Sequence, residues 1–268
     1  MSVKIGFIGA GRMASALIGG IISKGLCKND EIAAAAPSSE TRKRISEEFG
    51  IKTYETAAEV ANVTDFVVIA VKPSQIPGLF AEKGLKFGPS HLLMSIVAGL
   101  KISTLEAYVP DVKIVRVMPN HCCLVGEGAA GYSRGSKAGD ADVRKVHAVL
   151  SATGLAVEVK ESDLDAVTGI SGSSPAFMYM VADAVAEAGV KNGIPEDISL
   201  KLAAQSMLGA AKMILETGKS PEELKDGVCS PGGTTIEGVK VLQNSDAMEK
   251  LTEATEASII KSRKMSGE

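Results

Sequence analysis

The chain opens on a pattern that few folds can accommodate. Val3, Ile5, Phe7 and Ile8 read as a short buried strand, and Gly9-Ala10-Gly11-Arg12-Met13-Ala14 follows at once, ahead of an apolar helical run that reaches Gly20. Gly-x-Gly-x-x-Ala between a strand and a helix is the turn of a Rossmann dinucleotide-binding fold. Each small residue answers a steric demand. Gly9 lets the backbone turn sharply, Gly11 keeps a Cβ out of the path of a pyrophosphate, and Ala14 lets the helix lie close on the strand. The helix's unpaired N–H groups and the positive end of its dipole then face the phosphates. A structural turn before an ordinary helix can imitate so short a pattern, so the rest of the chain has to decide.

The next segments continue the alternation expected of an α/β domain with a largely parallel sheet. Glu31 to Ala36 reads as a second strand and Ser39 to Phe49 as a helix ended by Gly50, after a first helix closed by Gly25. At the end of that second strand, NAD-specific folds usually place Asp or Glu to hold the ribose 2′-hydroxyl. Here the chain offers Ala36-Pro37-Ser38-Ser39, then Arg42, Lys43 and Arg44. Hydroxyls, backbone N–H groups and a nearby cation can receive a 2′-phosphate, so NADPH is favoured over NADH. The plainer reading of the basic run is a solvated helix face.

Thr53-Tyr54, Asp65 to Val71, Leu92 to Val97 and Val112 to Met118 read as further strands, with a short helix over Ala57 to Asn62. Strands of an open parallel sheet present ligands at their carboxyl ends, so Ala70 to Pro73, Ala98-Gly99 and Pro119-Asn120 are expected on one rim. Gly126 to Tyr132 and Leu155 to Val159, with a helix near Asp140 to Ala152 between them, extend the sheet at one edge.

Near Glu161 the texture changes to long helices rich in Ala, Gly, Met and Leu: Asp163 to Gly189, Pro195 to Thr217, Thr234 to Gln243 and Ala247 to Met265. The chain therefore divides into a dinucleotide-binding domain over 1–160 and a helical domain over 161–268. Ser220-Pro221-Glu222-Glu223 carries the signature of a capped helix start. Helices this long in so short a segment would have trouble burying every apolar face within one copy. The run Ala203 to Ala211 is small-residue on nearly all sides, which lets backbones approach, so a homodimer through this domain is expected over a compact monomeric bundle, with a larger oligomer left open.

Composition excludes several classes. A formal net charge of -3 gives no basic field for nucleic acid, and the absence of Trp with few other aromatics leaves no base-stacking surface. No uncharged apolar run reaches bilayer-spanning length and the N-terminus goes straight into a strand, so no membrane anchor and a cytoplasmic location are expected. Cys27, Cys122, Cys123 and Cys229 show no paired spacing, and His121 beside Cys122 and Cys123 would point to different sides of an extended segment. Reduced thiols and no structural metal are the expectation.

The most specific stretch is Leu224 to Gly238, containing Cys229-Ser230-Pro231-Gly232-Gly233-Thr234-Thr235-Ile236. Pro-Gly-Gly is a tight turn that delivers the chain into a helix whose first amides, at Gly233, Thr234 and Thr235, are unpaired. Such a mouth attracts a carboxylate by about 0.3–1 kcal/mol from the dipole before hydrogen bonds are counted. An ordinary capped helix start needs one hydroxyl and neither glycine; here two glycines precede two hydroxyls.

Ser-Pro-Gly-Gly-Thr-Thr-Ile at 230–236, Ile-Ser-Gly-Ser-Ser-Pro-Ala-Phe at 170–177, Leu-Gly-Ala-Ala-Lys-Met at 208–213 and Met-Pro-Asn at 118–120 resemble, in order and in register, the pyrroline-5-carboxylate reductase family. The resemblance runs from Gly6 to Arg263. It implies reduction of 1-pyrroline-5-carboxylate to L-proline, the last step of proline biosynthesis, with NADPH or NADH. It also implies interleaved helical domains, with the site between each Rossmann domain and the paired bundles. By motif, Ile8, Gly9, Ala10, Gly11, Arg12 and Met13 would hold the pyrophosphate, and Ala36 and Ser38 would lie near the adenosine phosphate. Ala70, Val71, Lys72 and Pro73 with Ile96, Val97 and Ala98 would line the nicotinamide side. Glu161, Ser230, Gly232, Gly233, Thr234 and Thr235 would meet the substrate, with Thr235 as the catalytic hydroxyl. Three positions depart from the family pattern. Ala57 stands where Asn often contacts the adenosine end, Gly227 where some members carry Asn, and Ser174 where Gly is usual at what reads as a tight helix start. Two other readings stay open: a 3-hydroxyacid dehydrogenase, which lacks support because no Lys–Asn pair occurs between Ser173 and Gly189, and an NADPH-binding sensor without turnover.

Overall fold

A computed structural model describes residues 4–267; Val3 of the first expected strand lies outside the described residues. The described chain separates into two compact units, one formed by the residues up to Ser173 together with those from Ser258 on, the other by Ser174–Ala257.

In the first unit the elements alternate: β1 (Ile5–Ile8), α1 (Arg12–Ser23), β2 (Ile32–Ala35), α2 (Ser39–Phe49), β3 (Lys52–Tyr54), α3 (Ala57–Ala61), β4 (Phe66–Ile69) and α4 (Ile76–Phe80). They continue through β5 (Leu92–Ser95), α5 (Ile102–Tyr108), β6 (Lys113–Met118), β7 (Gly128–Arg134), α6 (Asp140–Ser151), β8 (Gly154–Glu158) and α7 (Leu164–Val167). The eight strands form one sheet in the order β3-β2-β1-β4-β5-β6-β7-β8. β1 to β6 run parallel, so their carboxyl ends share one rim. β7 pairs antiparallel with β6, and β8 follows β7, so these two end at the opposite rim.

Both faces of the sheet are covered, which is why strands β1, β2 and β5 are buried at every position rather than alternately. Phe7, Leu17, Ile18, Ile21 and Val68 pack on one face; Val60, Ile69, Leu93, Leu105 and Ile114 pack on the other. Each buried aliphatic contributes about 1.5–3 kcal/mol, and together they hold the rim that carries the loops. By contrast α2 buries only Ile45. It is fixed at its ends instead, by the Ser38 hydroxyl accepting from Thr41 N and by Gly50 in a left-handed conformation at φ 65°.

The helices after β8 follow the sequence closely, with one difference. α7 passes through a π-helical turn, Thr168–Ser173, directly into α8 (Ser174–Lys191). Ser174 therefore stands in a continuing helical run and not at a tight helix start, so its hydroxymethyl faces no turn constraint. The second unit holds α8, α9 (Glu196–Thr217), α10 (Pro221–Val228), α11 (Thr234–Gln243) and the beginning of α12 (Ala247–Met265). α8 and α9 approach closely because Gly189 leaves room for Ser199, whose Oγ donates to Ala186 O at 2.6 Å. Yet within this unit the buried apolar residues are only Ala182, Ala186 and Ala203, while Met180, Leu202 and Leu215 are exposed. Among the described residues α9 alone is long and apolar enough to cross a membrane, although Lys201 and Lys212 interrupt it.

Candidate functional site

The carboxyl ends of β1, β2 and β4 open into a groove of about 750 Å³, lined by residues 8–12, Ala35 to Pro37, Thr41, Arg44, Ala70 to Lys72, Gln75, Gly78 and Leu79. Its floor is the glycine turn. Gly9 sits at φ 97°, and a Cβ there would come within 2.5 Å of Ala70 O, so glycine is demanded both by conformation and by the closeness of β4. Gly11 is different: a Cβ there would meet nothing within 4 Å. Its lack of a side chain serves open space above the N-terminus of α1, which has no side-chain cap. That is a cradle for an anion held by backbone amides, and it fits a dinucleotide pyrophosphate.

At the end of β2 the basic residues divide their work. Arg42 Nη1 donates to Ala36 O and Pro37 O, each at 2.7 Å, and its Nη2 lies 3.5 Å from Glu55 Oε2. Arg42 thus holds together the two carbonyls of the loop that leaves β2. Arg44 Nη2 donates to Ala10 O at 2.9 Å, tying α2 to the glycine turn, and Arg44 lines the groove. The sequence singled out the whole basic run; it did not reveal that Arg44 reaches the turn, nor that Thr41 and Gln75 join the lining. Thr41 and Arg44 are three residues apart on a capped helix and so share a face, which is the signal that could have found them. Gln75 Oε1 accepts from Lys72 N at 3.0 Å and shapes the loop after β4.

Of the expected cofactor residues, Ile8 to Arg12, Ala36 and Ala70 to Lys72 line this groove together. Ser38 caps α2 beside it. Met13, Pro73, Ile96, Val97 and Ala98 are outside the lining, and Ala57 is buried in the core with no polar side-chain atom to offer. Glu161 follows β8 and its Oε1 accepts from Ile102 N at 2.7 Å and from Arg116 Nη1 at 3.0 Å. Arg116 is only 7 % exposed, so Glu161 is its counter-charge and also fixes the start of α5. Asn120 is engaged as well: it donates to Ser171 O at 3.1 Å and accepts from Ala129 N at 3.0 Å.

The second unit presents the other expected site. Gly232 adopts φ 71° and Gly233 stands at the N-cap of α11 with no side-chain cap, but Gly233 N donates to Ser230 O at 3.0 Å, so of the three amides expected to be unpaired this one is already engaged in closing the turn. Thr234 and Thr235 are exposed at the mouth, and neither hydroxyl finds a hydrogen-bond partner among the described residues. Groups of three or more His, Cys, Asp or Glu able to hold a metal do not occur among the described residues.

A Rossmann groove on one unit and a helical second unit define a two-part nicotinamide-nucleotide oxidoreductase. Residues 161–265 match the model for the pyrroline-5-carboxylate reductase dimerisation domain, and residues 4–99 match that for the NADP oxidoreductase, coenzyme F420-dependent, family. The pyrroline-5-carboxylate reductase of Arabidopsis thaliana is 38 % identical over 99 % of this chain and 96 % of its own. That of Methanosarcina acetivorans is 42 % identical over 90 % of each. Among solved structures, the reductase from Coxiella burnetii superposes with a TM-score of 0.89 at 29 % identity, covering 99 % of both chains. The Plasmodium falciparum pyrroline carboxylate reductase with NADP bound gives 0.85 at 34 %, covering 98 % of both. The chain belongs to the pyrroline-5-carboxylate reductase family.

Proposed function

We propose that this chain reduces 1-pyrroline-5-carboxylate to L-proline in the cytoplasm, with NADPH as preferred donor and NADH as the alternative. The observation that carries the reading is the uncapped mouth of α11, with two free hydroxyls, in a chain that also holds an open dinucleotide groove. The NADP-bound Plasmodium relative supports the donor, as does a β2 end that offers Ser38 and Arg44 and no acidic residue before Glu40. Glu55, drawn in beside Arg42, moderates that preference.

When bound, the dihydronicotinamide supplies the hydride. The chain's own part is to bind and orient. Residues 8–13 would hold the pyrophosphate at the glycine turn and the α1 amides, Ala36 and Ser38 the adenosine phosphate, and Ala70 to Pro73 with Ile96 to Ala98 the nicotinamide side. The amides of Thr234 and Thr235, at the turn that Gly232 and Gly233 shape, would hold the substrate carboxylate beside Ser230, and the Thr235 hydroxyl would donate a hydrogen bond to the ring nitrogen, which takes up a proton from solvent as hydride adds at carbon. Positioning of donor and acceptor then accounts for most of the rate. Ala57 leaves the adenosine end to backbone contacts, and Gly227 adds no side chain. Glu161 has one oxygen committed to Ile102 and Arg116, so its substrate contact would use the other.

The proposed division of labour is 1–160 for cofactor and 161–268 for dimerisation and substrate, supported by the start of the family match at 161. A homodimer is supported by that match and by the second unit's thin core, which a second copy would complete. Loss of reduced-nicotinamide absorbance on adding pyrroline-5-carboxylate, with proline identified as product, tests the reading. Cofactor binding without consumption in folded protein would overturn it in favour of a sensor.

A further inference from the structure

Asp165, on α7, is a buried carboxylate that the proposed chemistry does not use. It is 5 % exposed, and its Oδ1 accepts from Ser262 Oγ at 2.5 Å and from Ser266 Oγ at 3.0 Å. The two serines are 7 % and 9 % exposed and come from the last turn of α12 and the residue after it. A carboxylate is stable out of water only when donors satisfy it, and here those donors come from the far end of the chain. The bonds therefore fasten the C-terminal turn to α7, within one compact unit.

What that turn touches gives the fastening a use. A Cβ on Gly99 would stand 3.2 Å from Met265 O, and Gly99 has φ 73°, so the loop leaving β5 passes directly against the fastened turn. The far end of the same loop is pinned where Ile102 N donates to Glu161. Residues 96–101 are thus held at Ile102 by a segment that follows β8 and at Gly99 by the chain's last turn.

We propose that Asp165, Ser262 and Ser266 form a latch that holds the C-terminal turn against Gly99 and so positions residues 96–98 for the nicotinamide. The three are positioning residues, acting through the loop; its place beside the nicotinamide rests on the function proposed above, whereas the latch does not.

The test compares the double variant Ser262→Ala/Ser266→Ala with Asp165→Ala and Asp165→Asn in the full-length protein. Asn keeps the Oδ1 acceptor, so Asp165→Asn should behave like the parent. The other two should raise hydrogen exchange in peptides spanning 96–102 by about tenfold, with β1 and β2 unchanged. They should also raise the NADPH KM by about five- to tenfold while kcat stays within about twofold. Unchanged exchange at 96–102 in a variant whose residues 258–267 have loosened overturns the latch. Loosened exchange with an unchanged KM overturns the loop's role in the site, while turnover by the parent protein still upholds the reductase reading. Should Asp165→Ala fail to fold, the serine pair, which removes only two hydroxyls, decides.

Discussion

Replacing Gly9 by Ala tests the link between the backbone turn and cofactor binding. The residue sits at φ 97°, where an L side chain costs about 1–3 kcal/mol. Its Cβ would lie 2.5 Å from Ala70 O and 2.8 Å from Ala70 C, far inside ordinary contact. Those atoms cannot simply recede, because Ala70 N donates to Ile8 O at 2.8 Å and β4 is registered against β1. Overlap of this kind in a packed setting adds about 1–3 kcal/mol, for a total near 2–6 kcal/mol. The compliant side of the clash is the loop from Val71 to Lys72, which lines the groove. Relief by moving that loop converts about 3 kcal/mol into a roughly hundredfold weaker NADPH Kd. Fluorescence titration with NADPH reads that term, and urea unfolding at fixed protein concentration reads what remains. Gly11→Ala is the control: its Cβ has open space, so unfolding should not change, yet a methyl in the cradle should weaken NADPH. A Gly9→Ala protein with parental urea midpoint and Kd would refute the steric account.

Thr235→Ala should lower kcat by about 10² if, as proposed, the hydroxyl donates where charge changes in the transition state; parental turnover would remove it from the mechanism. Arg42→Ala should raise the KM of NADPH and NADH alike, since Arg42 holds the loop through Ala36 O and Pro37 O; a rise confined to NADPH would instead make it a phosphate ligand. Hydrogen bonds from the Arg134 guanidinium hold the carboxyls of Glu158 and Asp140 below their ordinary 4.5 and 3.8. A carboxyl whose folded pKa is depressed stabilises above its unfolded value and loses that contribution as pH falls through the folded one. The Tm deficit of Arg134→Gln should therefore be small at neutral pH, about 2 °C given the exposure of the cluster, and should shrink as pH falls through the depressed carboxyl values, below the ordinary 4.5 and 3.8; a deficit constant with pH would contradict the linkage.

Much of this fold is legible because its signals are local. The Gly9 turn, the Gly50 stop and the Ser220–Glu223 capping box are each written within a few residues, and each forms as read; the Ser38 cap, equally local, is there to be read in the same way. What escapes reading is long-range. The Arg44 bond to Ala10, the approach of Glu55 to Arg42 and the Asp165 bonds to Ser262 and Ser266 join residues that no spacing rule connects. The reversed direction of β7 is likewise set by what it pairs with, not by its own composition. α4 and α5 are too short for a helical period to stand out, and the π turn at Thr168–Ser173 keeps helical texture while hiding its altered pitch.

The thin core of the second unit changes how substitutions there should be judged. In a single chain Met180 and Leu215 are each 72 % exposed, a figure that ordinarily marks a position free to vary. In the proposed dimer these side chains belong to an interior shared by two copies, so a polar replacement would act like one in a hydrophobic core. Its effect would register as lost protein, not as slower turnover. In that dimer, tolerance to variation along α8 and α9 would follow the assembled molecule, and the least forgiving positions would include some of the most exposed.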